Sequence, residues 1–291
     1  MTAPARDGVS VVVTARTPVS PVVLGAWEEH LRTAGRPWEV LSVADARGCG
    51  AAVRSALPLV KHPLVLLTDD SYPYTPSDLT KLIERIETPG EMPDPKTGEW
   101  GMRTPDLVAG ARTGVPEPGL LKVGGAIFRG FCKIVLDLVL EPRPGWYGWA
   151  EHRKVTRAWL TYGVPLHDPH CGFKLVRRAL LERFPIQCDG ELFHVELVAK
   201  ATFLTCMMDE VPLMPKPDRV RPAIWSKADK KVLWGKPRFA HKQEEPPPRE
   251  PNVFAGGGGG GGGWGVGGGG RRRAGGRGPR AEEQKRGRMD G

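Results

Sequence analysis

The chain lacks a C-x-x-C pair, a long apolar run and a signal-peptide pattern. Its 291 residues hold five cysteines, Cys49, Cys132, Cys171, Cys188 and Cys206, an odd and scattered set. That spacing argues against a disulfide framework, and the expected setting is a reducing, cytoplasmic one. No stretch of about 18 apolar residues occurs, which leaves no candidate membrane span. A basic body is missing too. The formal charge is +9, but residues 256 to 291, with eight Lys/Arg and three Asp/Glu, supply +5 of it. The remaining 255 residues therefore do not have the footprint of a nucleic-acid binder. That tail also has almost no apolar content and 18 of the 38 glycines. It cannot bury enough surface to offset its ordering entropy, so a disordered Gly/Arg-rich tail over 256–291 is expected, suited to polyanions. A Pro-rich linker over 236–255 precedes it.

Hydrophobic residues make up 40% of the chain, enough for a packed core. "VSVVVTA" (9–15) is a β-branched run of the kind buried on both faces. "PVVLGAWEEHLRTAG" fits a helix with Pro21 near its start and Gly35 at its end. "WEVLSVA" predicts a second strand, "GAAVRSALPLVK" a short helix and "PLVLLTDD" a third strand. "TPSDLTKLIERIE" is helical, with Thr75 or Ser77 as N-cap, and "DLVAGAR" is a fourth strand. Strand alternating with helix predicts an α/β class with a mostly parallel sheet. Residues 88–104, rich in Pro and Gly, read as a surface insertion.

"AIFRGFCKIVLDLVLE" (126–141) puts Arg129, Lys133, Asp137 and Glu141 on one stripe of a helix that is otherwise almost wholly apolar. Such a helix is buried in a core, packed in a homo-oligomer, or laid on a bilayer surface. The following "PRPGWYGWAEHRKVTRAW", with Trp146, Tyr147 and Trp149 beside cations, suits peripheral contact with an anionic membrane or ordinary packing. The excursion spans about residues 120–160 of a domain covering 1–235.

The chemistry-bearing pieces come in order: "VSVVVTA", "RGCGAAVRSAL", "LVLLTDDSYPYTPSDL", "DLVAGAR", "VPLHDPHCGFKLVRRALL", "ELFHVELVAKA", "DEVPLMPKPDR" and "WSK". This order resembles the family 2 glycosyltransferases, and within them the polyprenyl-phosphate sugar synthases of the dolichyl-phosphate mannose synthase type. The resemblance runs from about Val9 to Lys227. It implies a GT-A nucleotide-diphospho-sugar transferase fold. It implies an inverting transfer from a nucleotide-diphospho-sugar, with Mg²⁺ or Mn²⁺, to an acceptor such as a polyprenyl phosphate at the inner face of the cytoplasmic membrane. Asp70 matches the last aspartate of the family's Asp-x-Asp, with Thr68 in the first place and Asp69 beside it. Carboxylate oxygens suit a hard divalent cation. Adjacent strand residues face opposite sides, so Asp70 is expected to outweigh Asp69.

Arg112 matches a G-x-R arginine, whose planar fork suits phosphate. Asp168 matches the acceptor-side aspartate, which would orient the acceptor or act as base toward a hydroxyl. Gly172 and Phe173 read as a turn and a packing anchor, Lys174 as a solvated charge, and Glu196 as a cap or helix pair. Arg219 and Lys227 match a basic loop that closes on the diphosphate.

Two departures fall on the nucleotide pocket. "TARTP" stands where the family has P-T-Y-N-E, and "ADA" replaces DDGSTD, leaving Asp45 as the base- or ribose-reading carboxylate. They keep open a rival from another class, a non-catalytic binding protein whose basic tail recruits RNA or anionic lipid. A zinc site in "HDPHC" is the lesser rival, since no second ligand pair accompanies it.

Overall fold

A computed structural model describes residues 7–70, 74–94, 97–113, 119–136, 147–216 and 224–239. The tail, most of the linker, Trp146, Arg219 and residues 137–141 lie outside the described residues.

The first half alternates as the apolar pattern requires. β1 (Val9–Ala15) is followed by α1 (Pro21–Thr33), β2 (Trp38–Ala44), α2 (Cys49–Ala56), β3 (Leu64–Asp69) and α3 (Pro76–Glu87). Thr75 caps α3 in a reciprocal capping box with Asp78. Residues 88–104 fold into a two-stranded hairpin, β4 (Gly90–Pro93) and β5 (Trp100–Arg103), so this insertion has secondary structure of its own. β6 (Leu107–Arg112) returns to the main sheet. α4 (Gly119–Leu136) begins seven residues before the expected start, Ala126, and α5 (Tyr147–Tyr162) follows. β7 (Lys174–Arg177), the single turn α6 (Arg178–Leu181), α7 (Phe193–Phe203), β8 (Met208–Leu213) and α8 (Lys227–Gly235) complete the order.

The main sheet has the strand order β2-β1-β3-β7-β6-β8. All pairings are parallel except those of β7, which runs antiparallel between β3 and β6. This is the expected architecture, a mostly parallel central sheet flanked by helices. β1 and β6 are buried along their whole length. Alternation splits the core into two layers. Val12, Val65, Leu67 and Ala109 face α2, α5 and α7, while Val11, Val13, Leu64 and Leu66 face Trp27 and Leu31 of α1 and Leu79, Leu82 and Ile86 of α3. Phe173 is the anchor it was read to be, its ring centroid 4.8 Å from Tyr74 and 6.2 Å from Trp27.

Lys174 is not a solvated charge. It is fully buried, and its ammonium donates to the Pro169 carbonyl at 3.1 Å and to the Cys171 carbonyl. A strand in the middle of a sheet has no solvent to offer, so the amine closes the turn preceding its own strand.

α4 and α5 share a small third cluster of Cys132 and Val155 with Phe128 and Trp159. The opposite face of α4 exposes Val123, Ile127, Phe131, Ile134 and Val135. Among the described residues, no helix is long and apolar enough to cross a membrane.

Candidate active site

Register brings the ends of β1, β2 and β3 to one edge: Ala15 pairs with Ala44 and Thr14 with Asp69. The chain leaves β2 and β3 hydrogen-bonded to either side of β1. Asp45 N–H donates to the Ala15 carbonyl at 2.9 Å, and Asp70 N–H to the Thr14 carbonyl at 3.1 Å. Asp45 thus flanks β1 on one side and the Asp69-Asp70 pair on the other. The Asp45 carboxylate accepts from Arg47 through N at 3.0 Å, Nε at 3.0 Å and the guanidinium at 2.8 Å. Those bonds pull its pKa down to about 2.

Asp69 continues the alternation of Val65 and Leu67 toward α7. A Cβ added at Gly172 would lie 3.3 Å from Asp69 Oδ2 and 3.4 Å from His194 Nε2. Glycine therefore keeps open a space between a carboxylate oxygen and an imidazole nitrogen. His194, in the first turn of α7, is 9% exposed, and its Nδ1 has no hydrogen-bond partner. Burial, reinforced by Lys174, His170 and Arg112, holds its pKa well below the usual imidazole value. Cys49 Sγ lies 3.9 Å from His194 Nε2 and donates to the Gly190 carbonyl at 3.3 Å. Burial, with Glu191 and Asp69 nearby, pushes this thiol up to about 12, so it is neutral and unreactive. Asp70 sits one residue beyond the end of β3, half-buried in the turn.

The other half of the edge is built on buried pairs. Asp168 is 1% exposed. Its Oδ2 accepts from Arg112 N at 3.2 Å and Nε at 2.6 Å, and its Oδ1 from the guanidinium at 2.8 Å. Burial works against the guanidinium charge, but the Asp168 carboxylate outweighs it and raises the Arg112 pKa well above its ordinary value. Two side chains assigned separately from sequence are thus partners of one another. Glu210 of β8 closes the same turn, accepting from Asp168 N–H at 2.8 Å and from His167 N–H at 2.7 Å. His167 Nδ1 also lies 2.7 Å from Glu210 Oε2.

The loop 188–191 is clamped from two sides. Asp229 of α8 accepts from Asp189 N–H at 2.9 Å and Gly190 N–H at 3.2 Å. A Cβ on Gly50 of α2 would lie 2.1 Å from the Cys188 carbonyl. The clamp fixes Glu191, whose carboxylate accepts from Ile224 N–H. Burial raises the Glu191 pKa above the usual carboxylate range against that bond. Lys227, expected on the diphosphate, is the exposed first residue of α8. Glu196 pairs within its helix: Oε1 lies 2.5 Å from Lys200 Nζ, and the carboxylate accepts from the Gln187 and Cys188 amides at 2.8 Å each.

The zinc rival loses its cluster. His167 turns to Glu210, Asp168 to Arg112, and Cys171 Sγ to Tyr74 Oη at 3.1 Å, while the His170 ring lies tilted against Trp225 at 5.2 Å between centroids. Among the described residues, no three His, Cys, Asp or Glu side chains are placed to hold an ion by themselves. Sequence reasoning did not single out Glu191, His194 and Glu210 as site neighbours, although "ELFHVELVAKA" and "DEVPLMPKPDR" contain them, and it weighed His167 only as a zinc ligand in "HDPHC". Their signal was position within those motifs, not residue type alone.

No protein-family model matches the chain, and no curated protein matches it. Solved structures of similar outline do exist. Mannosyl-3-phosphoglycerate synthase from Rubrobacter xylanophilus is 16% identical with a TM-score of 0.45, over 78% of this chain and 70% of that one. Glucosyl-3-phosphoglycerate synthase from Mycobacterium tuberculosis, solved with Mn²⁺, uridine-diphosphate-glucose and phosphoglyceric acid, is 16% identical with a TM-score of 0.44, over 77% and 74%. At that identity and overlap, the likeness assigns neither an activity nor a ligand to this chain.

Proposed function

We propose that the chain is a metal-dependent, inverting glycosyltransferase that moves a sugar from a nucleotide-diphospho-sugar to an acceptor. One observation carries this reading: Asp69 Oδ2 and His194 Nε2 flank a space kept open by Gly172, at the carboxyl ends of parallel strands. Open α/β sheets bind ligands at that edge. A carboxylate oxygen and a neutral imidazole suit Mn²⁺, and the carboxylate alone suits Mg²⁺, with further positions left for phosphate oxygens and water. When bound, such a cation would neutralise charge on the departing diphosphate.

In this reading Asp69 takes the larger share of metal binding and Asp70 the smaller, the reverse of the order expected from the sequence, because Asp69 borders the space at Gly172. Asp45 reads the nucleotide from the end of β2, once Arg47 is drawn aside or shared. Arg112 and Asp168 act as one anchored unit that sets the floor between donor and acceptor. Arg219 and Lys227 supply positive charge to the diphosphate. The test is sugar transfer or donor hydrolysis across a panel of nucleotide sugars with Mn²⁺, with phosphoglyceric acid among the acceptors. Asp69→Ala is expected to lower turnover by at least about a hundredfold, the scale of losing a preorganised electrostatic contact. Wild-type protein that neither binds nor turns over any nucleotide sugar would sink the reading.

A polyprenyl-phosphate acceptor is a second reading, favoured by the outward face of α4. That helix has no Asp or Glu in 18 residues, and it exposes Ile127 at 69% and Ile134 at 85% beside Lys133. A wide apolar face with cations at its border suits the surface of an anionic bilayer.

A further inference from the structure

An open cleft of about 310 Å³ lies beside β6 and β8, at the lower end of the roughly 300–1,000 Å³ usual for small-molecule pockets. Ala111 of β6 and Thr113 just beyond it line the cleft on one side, Asp209 and Glu210 of β8 on another, and His167 from the turn before β7. β3 and β6 are separated by one strand, so the cleft and Asp69 stand about 10 Å or a little more apart along the edge. The diphosphate and sugar of a donor cover such a span.

His167 and Glu210 have the construction of an oriented base. The Glu210 carboxylate is mostly buried and held by two backbone amides, those of His167 and Asp168. Being an acceptor, it takes the hydrogen of His167 Nδ1 at 2.7 Å, which makes Nε2 the basic nitrogen. The two amide bonds already fix the turn, so the ring contact orients the imidazole and not the chain. The imidazole side chain is 46% exposed, while the neighbouring Asp168 is 1% exposed and engaged by Arg112. Of these two adjacent residues, His167 is the one that meets a molecule in the cleft.

We infer that His167, oriented by Glu210, is the general base for a neutral hydroxyl-bearing acceptor, a sugar or polyol, bound in this cleft. The inference rests on the glycosyl-transfer reading and names its acceptor class. The acceptor oxygen forms its bond to the sugar C1 as the C1–O bond to the diphosphate breaks. The bonding pair leaves with the diphosphate, and the acceptor proton passes to Nε2. A single displacement of this kind inverts C1. The charge of the cleft disfavours an anionic acceptor: its described lining holds no Lys or Arg, and of its two carboxylates Asp209 is paired with Arg85 while Glu210 faces His167. A phosphate acceptor would in any case need no base.

The test uses the full chain with Mn²⁺, nucleotide sugars, and glycerol, glucose and methyl glucoside as acceptors. His167→Ala and His167→Gln are expected to lower kcat by about 10²–10⁴-fold. Binding of the nucleotide diphosphate, read by calorimetry, stays unchanged. Added imidazole restores part of the rate to His167→Ala, where the ring has left a space, and not to His167→Gln. If His167→Ala keeps kcat within about threefold of wild type, the base assignment is overturned. It is equally overturned if wild type binds nucleotide sugar and transfers only to a prenyl phosphate, an outcome that leaves the glycosyltransferase reading standing. If wild type binds no nucleotide sugar, the parent reading fails and the base assignment falls with it.

Discussion

In the central sheet, all seven residues of β1 and all six of β6 are buried; in α4, five large apolar side chains face outward. The sheet is covered on both faces by its own helices. The α4–α5 hairpin has one small cluster on its inner side and nothing described over its outer face. The contrast separates two kinds of hydrophobic residue. Those in the sheet hold the fold together, and their cost of exposure falls within this chain. Those on α4 add little to folding, because they stay exposed. Exposed apolar side chains in such a continuous stripe mark interaction sites more often than chance.

The sharpest way to break this contrast is to unpair a buried charge in the body. Lys200 and Glu196 of α7 form an ion pair with side chains 0% and 1% exposed. Lys200→Met leaves the Glu196 carboxylate without its partner and is expected to cost about 3–5 kcal/mol, the range for breaking a buried pair from one side. Lys133→Met on the exposed side of α4 should change stability by no more than about 0.5 kcal/mol. Urea midpoints at constant slope measure both. Equal losses would mean that the hairpin is as integral as the sheet.

A second pair of variants adds one methyl group to each region. At Gly50 a Cβ would meet the Cys188 carbonyl at 2.1 Å and Phe193 Cβ at 2.8 Å. Backbone cannot step aside as a side chain can, so Gly50→Ala should cost about 1–3 kcal/mol and loosen the 188–191 loop. At Gly130 a Cβ meets nothing within 4 Å. Gly130→Ala should instead stabilise α4 by about 0.5–1 kcal/mol, because alanine loses less backbone entropy in a helix. Opposite signs in melting temperature are the expected result.

The same contrast explains what was legible in the sequence. β1 and β2 fall on the residues expected of them and β6 starts one residue later than expected, because each is a short apolar stretch with no competing helical period. Thr75 was readable as a cap because the Asp at the third helical position completes the box. β4 and β5 were hidden because they are only four residues each in a Pro/Gly-rich stretch, and the apolar side chains Trp100 and Met102 of β5 stay exposed. β7 was hidden by its length of four residues and by Lys174, whose amine is satisfied by carbonyls that no local pattern announces. The start of α4 lies before Ala126, in the stretch from Gly119 that holds Gly124 and Gly125, poor helix formers that give no helix signal of their own. Within the site, residue types at the strand ends could be picked out one by one. Their pairing could not, since Arg112 and Asp168 are 56 residues apart and Glu210 lies 42 beyond Asp168.

A pH titration adds a third, smaller effect on the body. The ordinary imidazole value is 6.5, and that of folded His194 lies well below it, through burial and the positive neighbours Lys174, His170 and Arg112. The unfolded chain therefore takes up this proton first as pH falls. The contribution is complete above pH 6.5 and is lost below it, at up to about 1.4 kcal/mol per pH unit until the folded value is reached. His194→Gln should flatten the stability profile between pH 7 and pH 5 (about two units) relative to wild type. An unchanged slope would show that other groups govern it.

The smallest expected change in stability belongs to the outer face of α4, and there the second readout matters. Ile127, Phe131 and Ile134 are more than half exposed, so Ile127→Ser, Phe131→Ser and Ile134→Ser together remove little buried surface. The unfolding midpoint should stay nearly constant, each change costing no more than about 0.5 kcal/mol. Binding to vesicles of mixed phosphatidylglycerol and phosphatidylcholine should fall by at least about tenfold, since burying three such side chains in a bilayer surface is worth several kcal/mol. Wild type and variant carry the same basic tail, so their difference reports the hairpin alone. Raised salt should weaken both, through Arg129, Lys133 and the tail. If vesicle binding is the same in both but light scattering shows that only wild type forms a dimer, α4 meets a second copy. The polyprenyl-phosphate reading then loses its support, and the neutral acceptor bound beside His167 stands alone.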